Sequence, residues 1–134
     1  MRASNIQSVS LAGGQVTIVG QVTLGPDDEV KLLHVWLAQP GYDGQAGAGL
    51  AIDYLATRPP GSEPFPEGNG KFEVTTPVQG QGAGVVGDFC DGPATVSAIA
   101  VVYNNGVIAE VLEWSRLAVL PEAQLDATAQ GEAN

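Results

Sequence analysis

Two apolar runs close to the end of the chain, ATVSAIAVVY (94–103) and VIAEVLEWSRLAV (107–119), decide the fold class. Both runs are rich in β-branched residues and have the length of strands. The residues between them, Asn104-Asn105-Gly106, tolerate the positive φ angles that tight hairpin turns require. We therefore predict a long antiparallel hairpin. A row of small and branched residues in its first strand is expected to face the core: Ala94, Val96, Ala98, Ala100 and Val102.

Upstream of this hairpin, alternation of apolar and polar residues predicts further strands. Residues 15–24 alternate in this way, and Ala12-Gly13-Gly14 connects them to the preceding run, 6–11. This arrangement predicts a second tight hairpin. After the turn Gly25-Pro26-Asp27-Asp28, the chain reverses into a third strand over 30–39.

The third strand is apolar on both of its faces. Val35 and Leu37 would face one way, and His34 and Trp36 would face the other. Such a pattern is typical of a central strand that is covered on both sides, or of one whose outer face has a function.

Between the third strand and the closing hairpin, loops interrupt the strand pattern. The Gly-rich stretch 41–49 and the Pro-rich stretch 58–66 cannot continue a ladder. For the short apolar piece between them, 50–56, we favour a strand over a helical turn. Residues 71–76 alternate again and predict a half-buried strand, which is followed by a Gly-rich loop over 80–92.

Together these patterns predict an all-β protein, a single antiparallel β-sandwich of about seven strands. The sandwich is expected to occupy residues 1–120, and residues 121–134 are expected to form a C-terminal tail. A chain of 134 residues also has the usual length of one domain.

The strand order resembles that of an immunoglobulin-like or fibronectin-type-III-like module. The resemblance is carried by Val35-Trp36-Leu37, at the place of the immunoglobulin core tryptophan, and by the closing hairpin, 94–119. It implies a sandwich with Trp36 in its core. The paired cysteines and the corner tyrosine of antibody domains are missing, and this architecture hosts many unrelated functions.

The balance of charges excludes several partners. Fifteen acidic side chains against 5 basic ones give a net charge of −10 and a pI near 4.1. Nucleic acid is therefore excluded, because binding to a polyanion requires many Lys and Arg side chains. We expect no membrane insertion and no signal peptide, since no apolar segment has the required length and flanks. The sequence leaves localisation undetermined, and a virion or an extracellular surface would both be compatible with it.

Few residues are available for catalysis, and we predict neither an enzyme nor a cofactor. His34 is the single imidazole and Cys90 the single thiol, so a zinc site lacks ligands. No Gly-x-Ser-x-Gly motif accompanies His34. Cys90 lies between acidic residues, which disfavour a thiolate, and we interpret it as a buried structural thiol.

Two acidic loops are weak candidates for calcium, which prefers oxygen ligands from flexible loops. One contains Asp27 and Asp28, and the other contains Asp88 and Asp91. Neither loop matches the EF-hand pattern, so we favour an interpretation as solvated acidic turns and assign no metal site.

A carboxylate pair for a small hydrolase would have to be assembled from distant residues. Glu110 and Glu113 are three residues apart and face opposite sides of a regular strand. One of them would need a distant partner such as Asp53, and nothing in the sequence supports that pairing.

Aromatic side chains supply the candidate ligand-binding residues, namely Tyr42, Trp36 and Tyr54. Aromatic rings on a sandwich face or loop end can stack on a glycan. Trp36 and Trp114 also lie in apolar runs, which favours the core for both, and Tyr42 in its loop is the better candidate for an exposed contact.

The preferred functional hypothesis is a non-catalytic structural or assembly module that presents loops to a protein partner or assembles with itself. A virion decoration or tail-associated protein, or a subunit of a surface filament, would fit. The alternative is a carbohydrate-binding or adhesin-like module, and a small hydrolase is a remote third.

Overall fold

Two antiparallel sheets form the domain in the computed structural model, which describes residues 2–41, 47–66, 68–78 and 84–125. Within these residues the chain is all-β, with one 3₁₀ turn after the fourth strand, over Leu55–Thr57. The predicted β-sandwich is confirmed. Its strands are β1 (Ala3–Ala12), β2 (Gln15–Thr23), β3 (Asp28–Gln39), β4 (Ala48–Asp53), β5 (Lys71–Pro77), β6 (Val85–Val86), β7 (Gly92–Asn104), β8 (Val107–Leu120) and β9 (Glu122–Gln124).

The strand order in the four-stranded sheet is β5-β2-β1-β9, and in the five-stranded sheet it is β6-β4-β3-β7-β8. Both predicted hairpins, β1–β2 and β7–β8, are present. The described residues contain two short strands, β6 and β9, beyond the seven that the sequence patterns indicated. These strands have 2 and 3 residues, too few for the alternation of side chains to become visible in the sequence.

The core lies between the two sheets and is filled from alternate strand positions. Strand residues alternate between faces, so every second residue of β2 and β7 is buried, and β3 follows the same alternation from Leu33 to Gln39. The row predicted on β7 is buried in full. The largest fully buried side chains are Ile6, Ile18, Leu33, Leu37, Leu120, Val9, Val16, Val22, Val35, Val78, Val96 and Val102.

The prediction that Trp36 belongs to the core was wrong, whereas the same prediction for Trp114 is confirmed. Trp36 follows Val35, which is fully buried, so alternation turns its ring to the outer face, where 37% of the residue is exposed. Trp114 is buried opposite Ala98, a small residue that leaves room for the indole. The small residues of β7 therefore accommodate Trp114 and not Trp36.

Residues after Leu120 take part in the four-stranded sheet. Strand β9 pairs with Ser8–Ser10 of β1. The Leu11 N–H also donates to the Pro121 carbonyl, and the Leu125 N–H donates to the Gln7 carbonyl. The first part of the segment predicted as a tail thus covers an edge of β1, and residues 126–134 lie outside the described residues.

Asp28 joins three parts of the chain at one end of the sandwich. Its side chain is only 1% exposed and accepts two hydrogen bonds from Arg2, Nε to Oδ2 at 2.8 Å and Nη2 to Oδ1 at 2.9 Å. It also accepts hydrogen bonds from Asn104 Nδ2 and the Gly25 N–H. The Arg2 hydrogen bonds, followed by the one from Asn104, hold the pKa of Asp28 well below its usual range.

This shift predicts a specific acid sensitivity. A carboxyl whose pKa is lowered by folding stabilises the protein above the unfolded-state pKa, and this contribution is lost as the pH falls below about 4. Asp28→Asn should therefore lower the thermal midpoint at pH 7, and its deficit against the wild type should shrink on acidification. Thermal unfolding measured by circular dichroism between pH 7 and pH 3 checks this.

Asp27→Asn is the matched control, because Asp27 is exposed and Asn tolerates its positive φ of 63°. We expect this variant to stay within about 0.5 kcal/mol of the wild type. A deficit for Asp28→Asn that stays constant across the pH range would contradict the proposed linkage.

Gly20 allows an aromatic ring to cover the middle of β2. It pairs with Phe72 on β5 and with Ile6 on β1. A Cβ atom at Gly20 would lie 2.5 Å from Phe72 Cζ and 2.7 Å from the Asn5 carbonyl oxygen. Only glycine leaves the space that the Phe72 ring occupies, and this ring closes the core at the β5 side.

Gly20→Ala should therefore destabilise the fold by about 1–3 kcal/mol through overpacking. Gly49→Ala is the control in the other sheet, because its Cβ would meet nothing within 4 Å. That variant should stay within about 0.5 kcal/mol of the wild type. Urea unfolding of both variants is the measurement, and equal effects would show that the close approach to Phe72 does not limit this position.

Candidate functional site

On the outer face of the five-stranded sheet, the strand register brings side chains of neighbouring strands next to each other. Trp36 on β3 lies opposite Ala51 on β4 and Ser97 on β7. Ser97 in turn lies opposite Ser115 on β8, and their hydroxyl oxygens are 3.1 Å apart. The row is thus a tryptophan followed by a hydrogen-bonded pair of serines.

Large exposed apolar side chains occur on this sheet and, among the described residues, on no other element. They are Trp36, Val86, Val107, Ile108, Val111, Leu117 and Val119. We use the term apolar face for the outer surface formed by Trp36, the half-buried Ile99 and Val101, and the exposed Val111, Leu117 and Val119. Exposed apolar side chains gathered on one face make this face the candidate interaction surface.

The outer face of the four-stranded sheet has a different character. Thr17 on β2 and Thr75 on β5 lie opposite each other with hydroxyl oxygens 3.1 Å apart. Gln7 and Gln21 form another polar contact between β1 and β2. These polar pairs suit a solvated sheet face, so the apolar character of the five-stranded sheet is not a general property of the fold.

Charged side chains are sparse on the apolar face. Along the described strands, its acidic neighbours are Asp53 and Glu113, which lie in one row with His34 and Ile99 between them. His34 Nε2 is 3.4 Å from Asp53 Oδ2. Asp53 and Glu113 both belong to the 15 acidic residues of the chain, and neither lies opposite a Lys or Arg side chain in the ladder.

Trp36 borders a shallow depression of about 390 Å³, which Ser97, Ile99, Glu113 and Ser115 also line. The imidazole of His34 lies 5.6 Å from the Trp36 ring, with the two planes tilted by 45°. An accessible indole beside hydroxyl and carboxylate groups can stack on an apolar surface and accept or donate hydrogen bonds at its rim.

A second concavity, of about 480 Å³, lies on the opposite side of β4, between the 3₁₀ turn and β5. We call it the edge groove. It is lined by backbone and side chains of Ala51, Ile52, Asp53, Tyr54, Ala56, Thr57, Arg58, Glu73, Val74, Thr75, Thr76 and Gly84.

The three residues predicted to bind a ligand do not form one described site. Trp36 lies on the apolar face. Tyr54 lines the edge groove but is only 3% exposed, since it stacks on Phe65 and donates its hydroxyl to the Pro64 carbonyl. Burial raises the pKa of this phenol. Tyr42 lies outside the described residues.

The acidic loops considered for calcium lie at opposite ends of β7. Asp28 contacts Asn104 at one end, where its carboxylate accepts hydrogen bonds from Arg2, Asn104 and the Gly25 N–H. Asp88 and Asp91 are exposed before Gly92 at the other end. Within the described ranges, no three His, Cys, Asp or Glu side chains come together as a metal site.

The carboxylates considered for a hydrolase are too far apart. Asp53 and Glu113 are separated by three strand spacings, about 14 Å between backbones. Glycosidase pairs need roughly 5–9.5 Å. Glu110 faces the other side of β8, as predicted, and lies 3.6 Å from Arg2.

The environment of Cys90 shows a polar contact that the sequence did not reveal. Cys90 is half-buried, not fully buried as predicted, because it lies in a loop against the buried Gln39. Gln39 Nε2 donates to the Cys90 carbonyl, and the Cys90 N–H donates back to Gln39 Oε1. This pair of hydrogen bonds fixes the loop that leads into β7.

No protein family and no curated protein matches the chain. Among solved structures, the crystal structure of wild-type OgpA from Akkermansia muciniphila is similar, with a TM-score of 0.41 and 13% sequence identity. The match covers 92% of this chain and 28% of the OgpA chain, so this chain spans little more than a quarter of OgpA. Separately, no helix in the described part of the chain is long and apolar enough to cross a membrane.

Proposed function

We propose that this protein is a non-catalytic assembly module that docks onto a protein partner through the apolar face. The single observation that carries the proposal is the concentration of exposed Trp, Val and Leu side chains on one sheet. A virion surface or a surface filament are settings in which such a module would act.

The composition of the apolar face supports a protein partner. Protein interfaces are depleted in charged residues at their centre and enriched in aromatic residues, with a polar rim. Trp36 provides the aromatic anchor, Leu117 and Val119 provide flat aliphatic surface, and Glu113 and Asp53 lie among them as the charged groups. Removing this apolar area from water favours association.

The position of β8 also favours docking. This strand of 14 residues forms the edge of the five-stranded sheet. Long apolar edge strands invite pairing with other chains, and proteins that stay soluble usually protect them with charge or cover. A partner on the apolar face would cover the outward residues of β8, while the −10 net charge keeps the uncovered protein soluble.

Photo-crosslinking tests this proposal. A benzophenone side chain introduced at Leu117 should crosslink to one discrete partner protein, or to a second copy, in the cells that naturally produce the protein. The same group at Ser10, on the outer face of the other sheet and outside the lining of the edge groove, should give no discrete product. Equal labelling from both positions, or none from Leu117, would refute a docking role for the apolar face.

The double variant Leu117→Lys/Val119→Lys provides the matched control for folding. Both residues are exposed, so thermal stability should change by no more than about 0.5 kcal/mol. The unlabelled double variant should nevertheless fail to compete with the labelled protein for crosslinking to the partner, because two charges at an interface centre are costly to desolvate. Undiminished competition would place the contact elsewhere.

A glycan-binding role is the second candidate, and the accessible Trp36 ring favours it. The ring lies next to the Ser97–Ser115 hydroxyl pair and borders the same depression as Glu113. A sugar could stack its C–H face on the indole and exchange hydrogen bonds with these groups.

A glycan array separates the two candidates. Under the assembly proposal, the wild-type protein gives no specific glycan signal. A reproducible signal that Trp36→Ala abolishes and Tyr103→Ala retains would favour glycan binding, since Tyr103 lies near the hairpin end of β7, away from the depression.

A further inference from the structure

The edge groove is a second surface, and its chemistry differs from that of the apolar face. It opens between two strand edges, with β5 on the four-stranded sheet and the end of β4 with its 3₁₀ turn on the other. Its volume of about 480 Å³ lies in the range of binding pockets. Ile52, Tyr54 and Val74 give it apolar walls, and Arg58 gives it a cationic group.

The backbone N–H and C=O groups of β5 point alternately toward β2 and away from it, which leaves an open strand edge along this groove. The Val22 N–H donates to the Gly70 carbonyl and the Val78 N–H donates to the Gly14 carbonyl, so even-numbered residues of this ladder face β2. The N–H and C=O groups of Glu73 and Thr75 therefore point away from β2. Both residues line the groove.

The facing edge of β4 is largely occupied. Gly49 and Leu50 pair with β6, and the Ala51 N–H donates to the Gly84 carbonyl. An incoming strand therefore finds its longest open ladder on β5.

Arg58 supplies an unmet hydrogen-bond donor. Its guanidinium lies 5.9 Å from the Tyr54 ring centroid, and its Nη2 donates to the Glu63 carbonyl at 3.1 Å. Its Nε is buried and has no acceptor, and no carboxylate of the described residues lies within ion-pair distance of it. In contrast, Arg2 and Lys31 pair with acidic residues. A buried donor without an acceptor is costly, and a carboxylate is the acceptor that a guanidinium binds best.

We propose that the edge groove binds an extended peptide segment of a partner protein. The segment adds to the open edge of β5 as a further strand, through the outward backbone groups of Glu73 and Thr75, and places a carboxylate side chain against Arg58. Strand addition supplies affinity through backbone hydrogen bonds, and the side chain between the strands supplies specificity. Asp53, the acidic residue on the facing wall, already accepts the Ala56 N–H, and its Oδ2 lies 3.4 Å from His34 Nε2.

Two blocked pentapeptides test this proposal, acetyl-Val-Thr-Glu-Thr-Val-amide and its counterpart with Gln at the centre. Each is titrated into the ¹⁵N-labelled full chain and followed by NMR. Shifts should concentrate at Glu73, Thr75 and Arg58, and the Glu peptide should bind about tenfold more tightly than the Gln peptide. Absence of binding by both peptides, or shifts away from β5, would overturn the proposal.

Charge-matched variants locate the carboxylate contact. Arg58→Gln should remove the preference for the Glu peptide. Lys71→Gln, which removes an exposed cation on β5, should keep the tenfold preference. A preference that survives in Arg58→Gln, or that disappears in Lys71→Gln, would show that the general charge of the chain and not Arg58 selects the ligand.

Thr75→Pro tests the strand addition itself. Its N–H points away from β2, so proline removes a donor to the peptide and none from the ladder, as is tolerated on edge strands. Both peptides should lose binding while the amide spectrum stays dispersed. If this variant does not fold, the peptide titrations of Arg58→Gln and Lys71→Gln still test the proposal. The Leu117→Lys/Val119→Lys variant should bind the peptides like the wild type, so failure of this inference and failure of the assembly proposal are separable.

Discussion

The burial of Val35 and Leu37 between the sheets is the constraint on which the outer surface depends. Because strand residues alternate, these two side chains fix the direction of their neighbours, and His34 and Trp36 must face outward. The ladder to β7 and β8 carries the same constraint across the sheet. Core packing thus places Trp36 on the same face as the outward residues of β8, with β7 between them. The side chains of the apolar face therefore cannot change direction without disturbing the core.

Polar contacts at the two ends of the five-stranded sheet hold this arrangement in place. At one end, Asp28 connects Arg2 at the start of β1 with Asn104 in the β7–β8 hairpin. At the other end, Gln39 binds the backbone of Cys90 before β7 begins. Both groups are buried, so loss of either partner would leave a polar group without hydrogen bonds. Buried polar contacts of this kind fix where the strands lie relative to one another.

The two candidate surfaces differ in the way they would recognise a partner. The apolar face offers rigid side chains on neighbouring strands, and its energy would come from removal of apolar area from water. The edge groove offers backbone groups of Glu73 and Thr75 and a guanidinium without a counterion. The apolar face is formed by β3, β7 and β8, and the edge groove lies between β5 and the end of β4, with Asp53 bordering both. One protein could therefore hold an assembly partner and a peptide strand together.

The sequence by itself determined the sandwich class, both hairpins and the buried row on β7, because alternation and turn residues are local signals that burial obeys. The shortage of Lys and Arg also led to the prediction that nucleic acid is not a partner. Only the tertiary structure decided that Trp114 is buried and Trp36 exposed, and that Arg58 lacks an acceptor in a groove beside β5. It also revealed the short strands β6 and β9. These features depend on which sheet a strand joins and on which strand edge stays unpaired. Contacts between residues that are distant in the chain determine both, and local sequence patterns do not report them.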